Sequence, residues 1–397
     1  MLPIELLAPA GDLSCVETAL YFGADAVYFG GPGLQLRADK VGFTLPELET
    51  AVEKIHARGK KAYVTVNSFA KNEEISFAGD YAAYLHACGV DAAIVSDLGV
   101  LAAIKKAAPE LDVHISTQAN CTNYLTARTY HDLGASRVVL ARELTLTEIA
   151  ELRAKTPAAL EIECFIHGAM CMSYSGRCMI SSFLTGRSGN RGACTQPCRW
   201  EYALMEKTRP GEYFPVYEDE KGTEILSSHD LCCIEFLDQL AAAGVTSFKI
   251  EGRMKSNYYV ASVIDAYRRA LDGTRPVSDC RLALEDVTHR PYSSGFYFGE
   301  EKLSHANDGQ YHAACTFVAE VLGWSDGIAT LRQRNHFALG QTLEILSPAG
   351  FGLSFPVTRI ENENGGTQET APHPLQILRI PCPHPLHAGD FLRRREA

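Results

Sequence analysis

Cysteine and arginine are concentrated in one segment of this chain, between Glu163 and Trp200. No aspartate, glutamate or lysine occurs between Cys164 and Trp200, although the 397-residue chain carries a net charge of -11. Thiols in a glycine-rich, positively charged loop indicate a metal or iron–sulfur site, and an isolated positive region in an acidic protein attracts an anion. The cysteines of the segment are Cys164, Cys171, Cys178, Cys194 and Cys198, and its arginines are Arg177, Arg187, Arg191 and Arg199.

The spacing of these thiols bears on which metal they would bind. Six residues separate Cys171 from Cys178, fifteen separate Cys178 from Cys194, and three separate Cys194 from Cys198. Structural zinc usually uses pairs of cysteines about two to four residues apart, which only Cys194 and Cys198 satisfy. Wide and irregular spacing favours a [4Fe–4S] cluster, with zinc or no metal as the alternatives. Cys232, further along the chain, is a candidate for one of the four places.

His167 and Glu163 suggest a second kind of chemistry. His167 lies four residues before Cys171, and a Cys–His pair can activate a thiolate for nucleophilic catalysis, as in a peptidase. Neither HExxH nor GxSxG occurs, and the sequence identifies no third residue that would orient the histidine. By strand alternation Glu163 points away from the side of Cys164, which is predicted to be a core residue. Glu163 and His167 are therefore candidate catalytic residues.

These side chains must be positioned by the elements around them, and the first 300 residues alternate short apolar runs with amphipathic stretches. The phrases FGADAVYFG, CGVDAAIVSD, LGASRVVLAR and AGVTSFKIEGR repeat one design of helix end, glycine and buried strand. Eight such units predict a (β/α)8 TIM-like barrel, and the missing G-x-G-x-x-G disfavours an open doubly wound sheet. The strands are predicted at 4–8, 26–29, 62–67, 93–96, 113–117, 137–141, 162–166 and 247–250, and the long Cys-rich loop after strand seven at about 167–227.

Other predicted strand ends would contribute to the same face of the barrel, where loops after strands carry the chemistry. Lys249, Arg253 and Lys255 lie at and just after the end of strand eight, so with the four arginines they predict a basic mouth for RNA phosphates, unless they are only paired surface charges. Gln118 and Asn120 follow strand five and could hydrogen-bond a small ligand or a base edge. A helix capped by Ser228 or Asp230 is predicted next to this face, with Cys232 and Cys233 in its first turn.

The sequence also predicts the domain boundaries and the cellular location of the protein. Residues 1–297 are predicted to form the barrel domain, 298–312 a linker, and 313–397 a small all-β barrel whose period-two runs are separated by glycines. A 46% hydrophobic content is ordinary for a globular protein, and no basic leader or long apolar span is present, so a cytoplasmic protein is expected. Disulfides are then disfavoured, and the acidic total argues against a whole-surface nucleic-acid binder.

Several motifs resemble those of the peptidase U32 family. They are ECFIHGAMC at residues 163–171 with GRCMIS at 176–181, LLAPAG at 6–11, GADAVYFG at 23–30, GACTQPCRW at 192–200 and FKIEGRMKS at 248–256. The resemblance covers essentially the whole chain. The length of the chain and its small C-terminal domain are most similar to those of the branch that makes 5-hydroxyuridine in tRNA.

The resemblance implies a function that composition does not. It implies an iron–sulfur-dependent hydroxylation of wobble uridine in the tRNA anticodon region, with prephenate as a required metabolite. It also implies that Cys171, Cys178, Cys194 and Cys232 hold a [4Fe–4S] cluster, with Cys198 as a contender for the fourth place. The alternatives are a collagenase-like peptidase, for which the family was named, and hydroxylation of another RNA or aromatic substrate.

Overall fold

The computed structural model describes residues 4–35, 42–171, 173–200, 218–219, 222–223, 229–299 and 311–396. The chain forms two compact units. The first comprises Met1–Val16, Ala24–Lys255 and Arg290–Tyr311, and the second comprises Glu17–Gly23, Ser256–His289 and His312–Ala397. Most of the predicted linker at 298–312 lies outside the described residues.

Eight parallel strands close into a barrel, as predicted, because the last strand pairs with both the first and the seventh. Almost every residue of these strands is buried, which explains why they read as continuous apolar runs rather than alternating ones. The barrel strands are β1 (Glu5–Pro9), β2 (Ala26–Gly30), β3 (Lys61–Val66), β4 (Ala92–Val95), β5 (Asp112–Ile115), β6 (Arg137–Val139), β7 (Glu161–Ala169) and β11 (Ser247–Ile250); the short strands between β7 and β11 are β8 (Glu218–Asp219), β9 (Gly222–Thr223) and β10 (Asp230–Cys232).

Helices alternate with the strands and begin at recognisable caps. Thr44 with Glu47 and Thr145 with Glu148 form capping boxes, which satisfy backbone N–H groups that a helix start leaves unpaired. The helices are α1 (Leu13–Tyr21), α2 (Leu45–His56), α3 (Asn72–Ala87), α4 (Leu98–Ala107), α5 (Tyr124–Asp132), α6 (Leu146–Ala154), α7 (Ile180–Thr185), α8 (Leu237–Ala242), α9 (Asn257–Leu271) and α10 (Val277–Ala283).

The helix predicted at Ser228 or Asp230 is wrong, because Asp230–Cys232 form β10 and α8 begins only at Leu237. β7 extends to Ala169, and β10 pairs antiparallel with this extension, placing Cys232 opposite His167. β10 also pairs with β12 (Tyr292–Ser293). Asp230 caps no helix, since its carboxylate accepts from Arg290 Nε at 3.0 Å and Nη2 at 2.8 Å.

The second unit contains the predicted all-β domain, whose main sheet has eight antiparallel strands in the order β17-β16-β22-β13-β14-β21-β18-β19. The curled sheet encloses an apolar core that includes Val318, Leu331, Leu343 and Leu378. The strands are β13 (Cys315–Ser325), β14 (Ile328–Gln333), β15 (Phe337–Ala338), β16 (Thr342–Leu346), β17 (Ser354–Pro356), β18 (Ile360–Asn362), β19 (Thr367–Gln368), β20 (Thr370–Ala371), β21 (Ile377–Pro381) and β22 (Phe391–Arg395).

The described part of the chain has no helix with the length and apolar character needed to cross a membrane. The later part of the predicted Cys-rich loop, from residue 201 to about 227, lies mostly outside the described residues. Within it, the structure describes the pairing of β8 with β9.

Candidate functional site

A cavity of about 100 Å³ lies at the carboxyl ends of the barrel strands. Strand ends from around the whole barrel contribute to its wall, which is why it mixes apolar, hydroxyl, amide and charged groups. Cys171 and Ser175, from the Cys-rich loop, also reach this wall. The lining residues discussed below are Thr65, Asn67, Ser116, Gln118, Arg142, Phe165, Cys171, Ser175, Arg199, Lys249 and Arg253.

Lys249 and Arg253 line this cavity, but both already have hydrogen-bond partners. Lys249 is buried in β11 and its Nζ donates to Glu163 Oε1 at 2.7 Å. Arg253 Nη1 donates to Gln35 Oε1 at 2.9 Å and to Thr65 Oγ1 at 2.8 Å. Both of these residues of the predicted basic mouth are therefore buried in the cavity wall rather than exposed on an open surface; Lys249 is ion-paired, whereas the Gln35 and Thr65 side chains that accept from Arg253 are neutral groups.

Glu163 is fully buried at the centre of a charge network beneath the cavity. Its second oxygen accepts from Arg137 Nη1 at 2.9 Å, and Arg137 is also paired with Glu5 and Glu161 at 2.6 Å each. Burial alone would raise the pKa of Glu163, but Lys249 and Arg137 outweigh it and hold that pKa below its usual range. Glu163 is therefore placed to hold Lys249, and it is not among the cavity-lining residues.

Arg142 is a residue that the sequence analysis missed. It follows β6, its guanidinium carbon lies 3.9 Å from the centroid of the Phe165 ring, and its Nη1 donates to Ala169 O at 2.8 Å. Its Nε is buried without a hydrogen-bond partner, although it lies in a wall of the cavity. A buried donor without a partner costs stability, so such a group favours a site that a ligand completes. The sequence signal for Arg142 was its place at the end of LGASRVVLAR, directly after a predicted strand.

Two amide oxygens in the cavity wall also lack partners. Asn67 donates to Ser116 Oγ at 3.2 Å, but its Oδ1 is unpaired, as is Oε1 of Gln118. These are hydrogen-bond acceptors suited to N–H groups of a ligand. Asn120, which was also predicted to contact substrate, instead supports the Cys-rich loop, because its Nδ2 donates to Ser175 O at 2.9 Å.

The structure brings four thiols of the Cys-rich loop together. Burial raises the pKa of the Cys198 thiol; Arg199 opposes this, and the thiols of Cys171, Cys194 and Cys178 raise it further. All four thiols are therefore near enough to interact electrostatically, although they are spread over 28 residues of chain (171 to 198). Each is half-buried or exposed, which leaves them accessible to a metal centre.

Hydrogen bonds hold the two cysteine-bearing halves of the loop against each other. Ser181, at the start of α7, donates from Oγ to Arg187 O at 2.8 Å and accepts from Thr195 N at 3.1 Å. Gly176 has a φ of +71°, and a Cβ there would lie 2.4 Å from Gln118 Oε1. The turn between Cys171 and Cys178 thus rests directly on the rim of the barrel and needs a glycine.

The separations of the thiols allow a test of which metal centre fits. Tetrahedral zinc, with Zn–S bonds of about 2.3 Å, brings its sulfur ligands to within about 3.8 Å of one another. Among the described residues, the group of three candidate ligands within 4.8 Å is Asp286, Cys315 and Glu344 in the second unit, not the loop thiols. No three of the loop thiols that the structure describes lie within 4.8 Å of one another, so they are not held at the spacing of tetrahedral zinc. The carboxylates of the other group are already paired with Arg393 and Arg395.

Cys232 and His167 lie on the paired β10 and β7 extension beside this loop. Cys232 is 8% exposed and His167 is 1% exposed. Cys232 is close enough to Cys233 to raise the pKa of that thiol, after the larger effect of burial. The His167 ring lies 5.4 Å from the ring of Tyr292, and His167 is not a cavity-lining residue.

The other predicted basic residues divide into engaged and exposed groups. Arg191 is paired with Glu74 at 2.9 Å, and Arg199 lines the cavity and donates to Tyr311 Oη at 3.3 Å. Lys255 is half-buried, and burial lowers its pKa. Arg177 and Arg187 are exposed on the Cys-rich loop.

Comparisons with known proteins identify the family of this chain. Residues 11–307 match the family described as Peptidase family U32, and residues 313–393 match the Peptidase family U32 C-terminal domain. The tRNA hydroxylation protein P of Escherichia coli (strain K12) is 35% identical over 98% of this chain and 96% of its own length. The tRNA hydroxylation protein P1 of Bacillus subtilis (strain 168) is 36% identical over 98% and 94%. The 23S rRNA 5-hydroxycytidine C2501 synthase of E. coli is 40% identical, covering 68% of this chain and 39% of the synthase.

Proposed function

This chain belongs to peptidase family U32, and from that membership and the site geometry we propose that it is an RNA-modifying enzyme that hydroxylates wobble uridine in tRNA to 5-hydroxyuridine. Relatives matching nearly its full length are named tRNA hydroxylation proteins, and another is named an rRNA 5-hydroxycytidine synthase. The net reaction replaces the C5–H bond of the base by C5–OH, a two-electron oxidation of the ring that requires an oxygen donor and a two-electron acceptor in addition to the RNA.

The observation that supports this proposal most directly is the grouping of four thiols beside the cavity. One of them, Cys171, forms part of the cavity wall, so a centre held there would lie next to whatever the cavity binds. A hydrolytic peptidase would need an activated nucleophile instead. Of the two candidate catalytic residues that could activate a cysteine nucleophile, Glu163 is committed to ion pairs and His167 lies outside the cavity wall.

We propose a [4Fe–4S] cluster as the resident cofactor, held by Cys171, Cys178, Cys194 and either Cys198 or Cys232. When bound, such a cluster supplies one-electron redox chemistry at the cavity wall. Arg199, next to Cys198 in the chain, opposes the rise in the pKa of that thiol and so favours the thiolate form that binds iron.

The cavity wall suits an unpaired pyrimidine base from the anticodon loop. The free amide oxygens of Asn67 and Gln118 can accept from a ring N–H, and Thr65 and Ser116 add hydroxyl groups. A base in a single-stranded loop can turn into such a cavity without the cost of opening a helix.

The guanidinium of Arg142 supports prephenate, a dicarboxylate, as a second small ligand of the cavity, because its free Nε–H can donate to a carboxylate. We expect prephenate at about 100 times its dissociation constant to stabilise the protein by about 2.7 kcal/mol. Calorimetric melting should show this rise in Tm for the wild type and not for Arg142→Gln. Arg191→Gln, on the loop but paired with Glu74, is the matched control and should retain the rise. An equal rise in the Arg142→Gln variant would place prephenate elsewhere.

Deleting the gene for this protein, together with any paralogue, should remove 5-hydroxyuridine and its derivatives from tRNA. Mass spectrometry of tRNA nucleosides measures this directly, and reintroducing the wild-type chain should restore the signal. Normal 5-hydroxyuridine alongside a lost hydroxylated nucleoside in rRNA would reassign the RNA substrate. Normal RNA nucleosides and cleavage of gelatin by the purified protein would instead support the peptidase alternative.

A further inference from the structure

The Cys-rich loop exposes an unusual concentration of large apolar side chains. Phe183 is 88% exposed, Met179 is 68% exposed, and Tyr174 and Leu184 are each 48% exposed. A single exposed apolar residue is common on protein surfaces, but four within eleven consecutive residues (174 to 184) indicate an interaction site. We call the set formed by Tyr174, Arg177, Met179, Phe183, Leu184 and Arg187 the loop platform.

The local structure holds these side chains outward. Phe183 N–H donates to Met179 O at 2.9 Å, so the two side chains are one turn apart on the same side of α7. The opposite side of α7 is anchored by Ser181, which is 2% exposed and hydrogen-bonded to both Arg187 O and Thr195 N. Phe183 is therefore exposed on a helix that buries its polar side rather than its apolar side.

The loop platform adjoins the candidate active site. Arg177 N–H donates to Tyr174 O at 3.0 Å in the turn immediately before Cys178. Helix α7 begins at Ile180, two residues after Cys178. Ser175, inside that turn, lines the cavity. A molecule bound on the platform would thus lie beside both a candidate cluster ligand and the entrance to the cavity.

The charge of the loop selects the kind of partner. Arg177 and Arg187 are exposed, and no acidic residue occurs between Cys164 and Trp200, whereas the whole chain has a net charge of -11. A partner must therefore be anionic and also present flat or apolar groups. Single-stranded RNA has both properties, because its phosphates attract arginine and its unpaired bases stack on aromatic rings.

We infer that the loop platform binds the unpaired bases of an RNA loop by stacking, with Phe183 as the principal ring and Arg177 and Arg187 contacting the backbone. The inference rests on the proposed function, since it takes RNA as the substrate. It adds that recognition begins on the Cys-rich loop itself, outside the cavity, and that it requires unpaired bases rather than a duplex.

Binding of a fluorescently labelled tRNA anticodon stem-loop to the full-length protein, followed by anisotropy, tests this inference. Phe183→Ala should weaken binding of the stem-loop by about five- to 150-fold, the effect of losing one stacked base. The same stem extended into an uninterrupted duplex should bind more weakly than the stem-loop and should be unaffected by the substitution. Phe183→Trp should retain the affinity, whereas Phe183→Leu should lose it, because leucine keeps apolar area but has no ring.

Phe77→Ala is the matched control, since Phe77 is 47% exposed on α3 and should not alter binding. Thermal unfolding and iron content should be the same in all variants. Full stem-loop affinity in Phe183→Ala, or equal binding of duplex and stem-loop, would overturn the inference. If affinity were unchanged but Phe183→Ala reduced the oligomeric state, the platform would instead be an interface between copies of this chain. The test is independent of the nucleoside measurement, so the platform can fail while hydroxylation stands, and the reverse.

Discussion

Serine in place of Cys171, Cys178 or Cys194 should abolish iron and sulfide binding and, with it, 5-hydroxyuridine formation. The reason is that serine cannot supply the soft thiolate that iron prefers, and three remaining thiolates hold a cluster poorly. Anaerobic purification followed by iron and sulfide assays and the absorbance near ~400 nm, where cysteine-ligated iron–sulfur clusters absorb, measures the loss. Cys88→Ser is the matched control, since Cys88 is a half-exposed cysteine at the end of α3 and should leave the iron content unchanged.

The same assay identifies the fourth ligand. We expect complete loss in only one of Cys198→Ser and Cys232→Ser. The family resemblance assigns that loss to Cys232, whereas the grouping of Cys198 with the other three thiols assigns it to Cys198. Full iron loading in all five single variants would contradict a cysteine-bound cluster. Stoichiometric zinc in the wild type would indicate a zinc site instead of a cluster.

Alanine in place of Glu163 should lower the free energy of unfolding by about 3–5 kcal/mol, because it leaves the buried cations of Lys249 and Arg137 uncompensated. Chemical denaturation at neutral pH measures the difference. Glu161→Ala is the control, since Glu161 pairs with the same Arg137 but its side chain is 47% exposed, so the loss should be under about 1 kcal/mol. The double variant Glu163→Gln with Lys249→Met should recover much of the stability, because it removes the buried Glu163–Lys249 ion pair and leaves Arg137 paired with Glu5 and Glu161.

The deficit of Glu163→Ala should also depend on pH. Lys249 and Arg137 hold the folded-state pKa of Glu163 below its ordinary value of about 4.3, even though burial acts in the opposite direction. The stabilisation is therefore fully present above that ordinary value and is lost as the pH falls through the lower folded-state pKa. Wild type and variant should converge in stability under acid conditions. A fully stable but inactive Glu163→Ala protein would return Glu163 to a catalytic role.

The barrel could be predicted from sequence because its strands carry their own signal. A parallel strand covered on both faces is a short apolar run, and the strand predicted at 247–250 has those bounds in the structure. The segment at 230–232 could not be predicted in this way, because β10 forms through pairing with β7, about 60 residues earlier, and through the ion pair of Asp230 with Arg290. Asp230 before an apolar run also resembles a helix cap, so the local pattern was misleading.

The candidate site was predictable in its residue types but not in its pairings. The cysteine cluster can be recognised in the sequence from the number and spacing of its residues. The roles of Lys249 and Glu163 cannot, because they depend on a contact between residues 86 positions apart. Arg142 was overlooked because a lone arginine after a strand looks like any solvated charge. Its stacking on Phe165 is visible only once β6 and β7 are neighbours.

The way the Cys-rich loop rests on the barrel implies an order of events during biosynthesis. The turn at Gly176 lies against Gln118, and Asn120 holds Ser175, so the thiols reach their places only on a completed β5 rim. The charge network of Arg137, Glu163 and Lys249 lies wholly within the barrel and needs no thiol. Delivery of the proposed cluster would then be a late step, made to a chain that has already folded. Cells short of iron should accumulate intact but colourless protein that becomes active when iron returns, without new synthesis.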